Sequence, residues 1–420
     1  MTSATDLSHH NRRAAKPAPQ SIFFSRTDKA AKIQAINAQF QEFSGHDWGN
    51  LIGASHDLLR HQATPKGVFA QVWQELSEGR VTSAYMCNRT ADGNRFWVLA
   101  LFVPVDDGFV SVQVPPVSPA LEKVEKLYSE LLEGEAADGA ESPSGEALVA
   151  GVQALDYYSY ETFMSEALST EIAARRTAMG RKPEPFLTRF DQMARLSNDL
   201  RKQVDEMRGA LNGIQTIPMN VRIIASRLEP EGGPITRISE DFQALSRRLA
   251  SWLTDFSGDR NDAFQNMWKS LVEARTLFCA ALLLEEAQLD CAGMDADAAQ
   301  GVDPEAEATA LQSVGTSIRG KATDLARSVE GATYDLGVAV HDLKRIMSSL
   351  QMSTILCKIE GERMTERHEG LDQVNGRMRS FLDAIVKQAD RATELNQAIQ
   401  SQAEELHGIE PGFRRPASAA

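Results

Sequence analysis

Between residues 185 and 252 apolar side chains recur at alternating intervals of three and four. The first run is Met193, Leu196, Leu200, Val204, Met207, Leu211, Ile214 and Ile217. After the breaker LEPEGGP (228–234) the second is Ile235, Ile238, Phe242, Leu245, Leu249 and Trp252. An α-helix gathers residues at this spacing into one stripe, the seam of a coiled coil. Two such arms joined by Gly-Gly-Pro predict an antiparallel helical hairpin over 185–289. A comparable pattern, Leu311, Val314, Ile318, Leu325, Val329, Leu336, Val340, Leu343, Met347 and Leu350, predicts C-terminal helices over 309–406. Between the two lies DCAGMDADAAQGVDPEAE (290–307), acidic and without periodicity, so 290–308 reads as a linker.

The N-terminal part differs in kind. Residues 21–118 mix short apolar runs with turn signals such as ADGN (91–94) and DDG (106–108). RFWVLALFVPV (95–105) is rich in aromatic and branched residues, as a buried strand is, and FVSVQV (109–114) alternates after DDG, so the two read as a hairpin. KGVFAQVWQELSEG (66–79) reads as a helix ending at Gly79. Residues 119–184 follow as connecting helices with an acidic linker, GEAADGAESPSGE (134–146). Residues 1–20 and 407–420 are polar and aperiodic and read as disordered tails. The fold class expected is thus an α+β domain followed by a long all-α antiparallel coiled-coil or helical-bundle region.

Composition narrows the function. The chain carries 44 Lys and Arg against 58 Asp and Glu, a formal charge of −14. A surface this acidic repels phosphate, which argues against nucleic acid as a partner. No stretch approaches the roughly 18 apolar residues of a membrane span, and the polar N-terminus lacks a signal-peptide core. A cytoplasmic protein is expected. The four cysteines, Cys87, Cys279, Cys291 and Cys357, form no CxxC pair and read as reduced, buried thiols. The chain lacks phosphate-loop, zinc-protease and nucleophile-elbow motifs, so no enzymatic activity and no metal site are expected.

Four segments in order resemble the PAS sensor module of bacterial aerotaxis receptors. They are IQAINAQFQEFSGHDWGNLIG (33–53), ASHDLLRHQATP (54–65), FAQVWQELSEGR (69–80) and NRTADGNRFWVLALFVPV (88–105). The resemblance implies a PAS domain over 21–118 that holds FAD noncovalently, with Asn37, His56, Arg60, His61, Trp73, Asn88 and Trp97 lining or bordering the pocket. Gln62 and Ala63 stand where that family has Pro-Asp. Read without the resemblance, Trp73 and Trp97 are core aromatics, Asn37 is a helix N-cap, and His56 and His61 are capping or surface groups. Haem, ligated by His56 or His61, is the rival cofactor. A cofactor-free PAS and coiled-coil scaffold is the other alternative. Cys87, in YMCNRT, lacks the sequence context of a photoreactive flavin domain.

NVRIIASRLEPEGGPITRISEDFQALS (220–246) resembles, without gaps, the signalling tip of methyl-accepting chemotaxis proteins. Ile224, Pro230 and Arg237 depart from that pattern. The resemblance implies partner-binding residues Asn220, Ile223 and Arg227 and, as partners, a chemotaxis-type histidine kinase with its coupling protein. A weaker echo of the same tip lies in 341–363. The implied function is a signal transducer that senses redox state or oxygen and relays it through the helices. A homodimer is expected, because a lone hairpin covers only one side of its seam. Leu200, Val204, Phe242 and Leu245 would then be shared between copies.

Overall fold

The computed structural model describes residues 16–137, 145–211, 216–227, 233–257, 263–295, 301–363 and 369–407. Most of both expected tails, residues 138–144 of the acidic linker, Ile214 and the turn at 228–232 lie outside them. The described chain divides into two compact units. One holds the residues up to Thr188 together with Val272–Asp324, and the other Arg189–Leu271 together with the residues from Leu325 onward.

The first unit is built on five antiparallel strands, β1 (Phe23–Asp28), β2 (Ile33–Ile36), β3 (Thr82–Arg89), β4 (Arg95–Val105) and β5 (Gly108–Val114), in the order β2-β1-β5-β4-β3. The β4–β5 hairpin expected from the sequence is present, with Val105 opposite Gly108. A Cβ at Gly108 would lie 1.9 Å from the Thr27 carbonyl oxygen, so only glycine fits there. Between β2 and β3 come α1 (Ala38–Ser44), α2 (Trp48–Leu51), a 3-10 turn (His56–Leu59) and α3 (Lys66–Ser77). Helix α3 stops where the sequence indicates, with Gly79 at φ 73° just beyond it.

Strand alternation sends Thr27, Met86, Asn88, Phe102, Phe109, Ser111 and Gln113 toward these helices. The neighbouring residues face the other way. That second face is covered by α4 (Ala120–Ala137) and α6 (Tyr160–Ala178), with α5 (Gly145–Ala154) between them in sequence. Strand β3 is an edge, and its outward carbonyls would be left without partners. Each is satisfied: Tyr160 Oη donates to Ser83 O (3.2 Å), Tyr128 Oη to Tyr85 O (3.0 Å) and His61 N to Cys87 O (3.1 Å).

Glu171, fully buried on α6, accepts four hydrogen bonds. Tyr85 Oη (2.9 Å) and Ser118 Oγ (2.6 Å) reach Oε1, while the backbone N–H groups of Val117 (2.7 Å) and Ser118 (2.9 Å) reach Oε2. One carboxyl therefore ties together β3, the exit from β5 and a helix. Burial beside this carboxyl pushes the Tyr85 phenol far above its ordinary pKa.

Among its described residues, the segment expected as a linker over 290–308 is helical at both ends. Helix α10 (Ala263–Ala292) runs into it and α11 (Pro304–Arg363) starts inside it. Two of its acidic residues are fastened to the start of the domain, Asp290 at the N-terminus of α1 and Glu307 at β1. Asp290 accepts from the side chains of Asn37 and Gln39, and Glu307 forms a bidentate pair with Arg26 (Nε to Oε2 2.9 Å). Acidity there reflects specific partners, not solvation. The first unit thus extends beyond the 21–118 segment drawn from the sequence. It takes in α4 to α6 and the facing parts of α10 and α11 because the sheet's second face needs cover.

In the second unit α7 (Pro185–Leu211), α8 (Thr216–Arg227), α9 (Gly233–Ser257) and α12 (Glu369–His407) join the rest of α10 and α11. Helices α8 and α9 pack together as a hairpin. The heptad residues Met193, Leu200, Val204, Ile235, Phe242 and Leu249 are buried, and Leu245 is half-buried. That burial is achieved within one chain, where α12 packs on α8 and contributes its own seam of Met378, Leu382, Ile385, Ala389 and Ile399. The argument that a second copy must cover the Leu200–Phe242 seam therefore loses its physical basis.

Replacing Glu171 by Gln leaves an amide nitrogen facing buried donors. It should destabilise the first unit by about 3 kcal/mol, since buried donors without acceptors are costly. Urea unfolding measures this, and an unchanged midpoint contradicts the tie.

Candidate sensory cavity

The cavity lies between the alternating face of the sheet and the helices that precede β3. Its empty volume, open mouth included, is about 820 Å³. Apolar walls come from Phe69, Val72, Trp73 and Leu76 on α3, which fall at the i, i+3, i+4, i+7 spacing of one helix face. Trp73 stands 44% exposed and meets Phe109 edge to face, with ring centres 5.5 Å apart.

The floor is polar. Asn88 Nδ2 donates to Gln113 Oε1 (3.0 Å), and Gln113 Nε2 donates to Ser111 Oγ (3.3 Å), giving a buried row of directed groups across β3 and β5. The third wall is the 3-10 turn. His56 places Nε2 3.1 Å from Ser25 Oγ and packs edge-on to Phe40. Burial of the ring holds its pKa below the ordinary imidazole value. Arg60 carries its guanidinium 3.8 Å above the centre of the Phe69 ring. Among the described residues no carboxylate forms an ion pair with it, although Asp57 also lines the cavity.

The seven residues singled out from the sequence divide into two groups. His56, Arg60, Trp73 and Asn88 line the cavity together. Asn37, His61 and Trp97 do not. Asn37 is the N-cap of α1: its Oδ1 accepts from Phe40 N (3.1 Å) and Phe24 N (2.9 Å), while Nδ2 donates to Ile22 O (2.8 Å). His61 serves the β3 edge through its backbone, and its Nδ1 accepts from Ala63 N (3.1 Å). Trp97 is turned to the opposite face of the sheet, 5.9 Å from Tyr128, because it lies an odd number of residues from Phe102 on β4. Its indole N–H is buried there without an acceptor. Cys87 also faces away from the cavity, and burial raises its pKa to about 12. The sequence reading missed Ser111 and Gln113, although FVSVQV alternates and places both on the face of Phe109.

On the helical side, Asn220, Ile223 and Arg227 are all exposed on α8. Of the departures from the chemotaxis tip, Pro230 lies outside the described residues. Among the described residues no helix is long and apolar enough to cross a membrane, and no cluster of metal-ligating side chains occurs.

No protein-family model matches the chain. It is 31% identical to the aerotaxis receptor of Escherichia coli over 122 residues, 28% of this chain and 24% of that receptor. It is 30% identical over 102 residues to the bacterioopsin transcriptional activator of Halobacterium salinarum, 24% of this chain and 15% of that protein. The chain therefore spans a quarter or less of the length of these relatives. Among solved structures it is similar to the LOV domain of the Erythrobacter litoralis EL346 blue-light activated histidine kinase, at 20% identity and a TM-score of 0.21 over 23% of this chain and 96% of that one. It is also similar to the Aureochrome1 LOV domain in its light state, at 20% identity and a TM-score of 0.23 over 30% of this chain and 99% of that one. The five-stranded sheet in the order β2-β1-β5-β4-β3, with its helices, resembles a PAS fold, and in sequence the chain is similar to part of the aerotaxis receptor.

Proposed function

We propose that the N-terminal domain binds a flavin, FAD by analogy with aerotaxis sensors, and that the chain is a cytoplasmic, non-catalytic transducer of redox state or oxygen. The observation that carries this reading is the combination in one cavity of aromatic walls, a row of amides and an unpaired guanidinium. A flavin needs flat apolar walls for its ring, directed polar groups for the ring edge and a cation for phosphate. Phe69, Trp73 and Phe109 suit the first requirement, Asn88, Gln113 and Ser111 the second, and Arg60 the third. Haem suits the donor set less well, because His56 Nε2 is already within hydrogen-bond distance of Ser25 and His61 lies outside the cavity.

A bound flavin supplies a redox couple whose charge and hydrogen bonding change at the ring edge. The chain's own residues then carry the change outward. Reorientation of the Gln113 amide disturbs Ser111 on its own strand and Asn88 on β3, across β4. Strand β1 gives a second route. Ser25 and Thr27 face the His56 side and the cavity, while Arg26 between them holds Glu307 in the first turn of α11. The helices would present the result to a chemotaxis-type histidine kinase and its coupling protein, with Asn220, Ile223 and Arg227 as the exposed residues on α8.

Freshly purified protein should show the two near-ultraviolet and blue bands of flavin. A lone Soret band would assign haem, and neither band would assign a scaffold. Arg60→Ala should lower flavin affinity roughly tenfold or more, the loss of one charge-assisted bond, and Trp73→Ala should lower it as well. An unchanged flavin-to-protein ratio in both variants contradicts the assignment. For the β1 route, reduction with dithionite should alter hydrogen exchange in the first turns of α11 in the unmutated protein. That response should shrink in Arg26→Ala; an equal response in both leaves β1 out of the path.

A further inference from the structure

Helix α11 has two seams. Leu336, Val340, Leu343, Met347, Leu350, Thr354 and Cys357 are buried, and this face is joined to α12 by Asn396 Nδ2 donating to Thr333 O (2.9 Å) and by Lys344 with Asp390 (2.8 Å). On the opposite face Tyr334, Val338, His341, Arg345, Ser348, Met352, Ile355 and Ile359 also follow alternating steps of four and three, and all eight are exposed. Tyr334 is 67% exposed and Met352 57%. A solvated helix face has no reason to keep a coiled-coil spacing with apolar residues at both ends. The charged and polar residues of the strip gather in its middle, at His341, Arg345 and Ser348.

We propose that this outer seam is where a second copy of the chain docks, α11 against α11, in antiparallel orientation. Charge decides the orientation. A parallel, in-register pair sets Arg345 against Arg345 and His341 against His341 in the seam. At the flanks it brings Glu330 to Asp335 and Lys358 to Arg363, all like pairs. An antiparallel pair about a twofold between residues 345 and 348 removes every one of these conflicts. Tyr334 then meets Ile359, Val338 meets Ile355, His341 meets Met352 and Arg345 meets Ser348. At the flank Asp335 of one copy comes beside Arg363 of the other, an opposite pair. The strip is self-complementary: its two apolar ends cover each other and its polar middle lies on the axis, as an isologous interface requires.

Size sets the strength. Residues 334–359 span about 38 Å of helix and a contact strip about 10 Å wide, roughly 400 Å² per copy. The total falls below the roughly 1,200 Å² of a standard stable interface, so the association is reversible and concentration-dependent. This surface is distinct from the Leu200–Phe242 seam, which the chain closes by itself.

Light scattering of the full chain from micromolar to sub-millimolar concentration should show a rise from monomer to dimer mass. Tyr334→Glu and Ile355→Glu, both at exposed positions, should each raise the dissociation constant at least tenfold while circular dichroism stays unchanged. Orientation is read by disulfide trapping of Val338→Cys and Ile355→Cys, alone and mixed, with the unmutated chain as control. The mixture should cross-link and each variant alone should not, since like positions in the antiparallel pair stand about 25 Å apart along the helix. Self-cross-linking of Val338→Cys, a mass that stays monomeric at every concentration, or a dimer indifferent to both Glu variants would each overturn the proposal.

Discussion

A β-strand turns successive side chains to opposite faces, and the N-terminal domain depends on that constraint throughout. Because the cavity claims one face of the sheet, the residues between must be buried against something else. Helices α4 and α6 supply the cover, and Glu307 of α11 pairs with Arg26 on β1. The same alternation makes β1 a two-sided element, with Ser25 and Thr27 on one side and Arg26 on the other. A change at the cavity cannot displace β1 without pulling on the ion pair behind it. Glu171 works in the same manner on β3 and the exit from β5, where its four hydrogen bonds hold two chain segments to one carboxyl of α6.

Much of this was legible in the sequence where a single periodicity governed. Of the 185–252 heptads Met193, Leu200, Val204, Met207, Ile235, Phe242 and Leu249 are buried while Leu196, Ile238 and Leu245 are half-buried, and α3 ends just before its glycine. The alternation in FVSVQV carries Ser111 and Gln113 to the cavity side as plainly as Phe109, whereas resemblance to known segments does not mark them. Trp97 illustrates the converse. It sits in a segment that resembles an aerotaxis sensor, yet register places Phe96, not Trp97, opposite the cavity residue Asn88. Conserved-looking words do not specify a face; parity along the strand does.

The acidic stretch 290–307 was misread for a different reason. Asp290 and Glu307 look like solvated linker charges until their partners, Asn37, Gln39 and Arg26, are brought close from more than 250 positions away. No local pattern encodes such pairings. The closure of the 185–252 seam within one chain was hidden likewise, since it depends on α12, which follows more than a hundred residues later.

Gly108 gives the hairpin between β4 and β5 an uneven tolerance to change. The Thr27 carbonyl lies where any Cβ at position 108 would have to be, so drift at that site would push away the end of β1, with Thr27 at the cavity and Arg26 at α11 close behind. Asp106 and Asp107, exposed at the turn itself, carry no such restriction. In a diverging lineage the turn can therefore change side chains that position 108 cannot, within the limit that the Asp107 charge favours the Arg26 cation that holds Glu307.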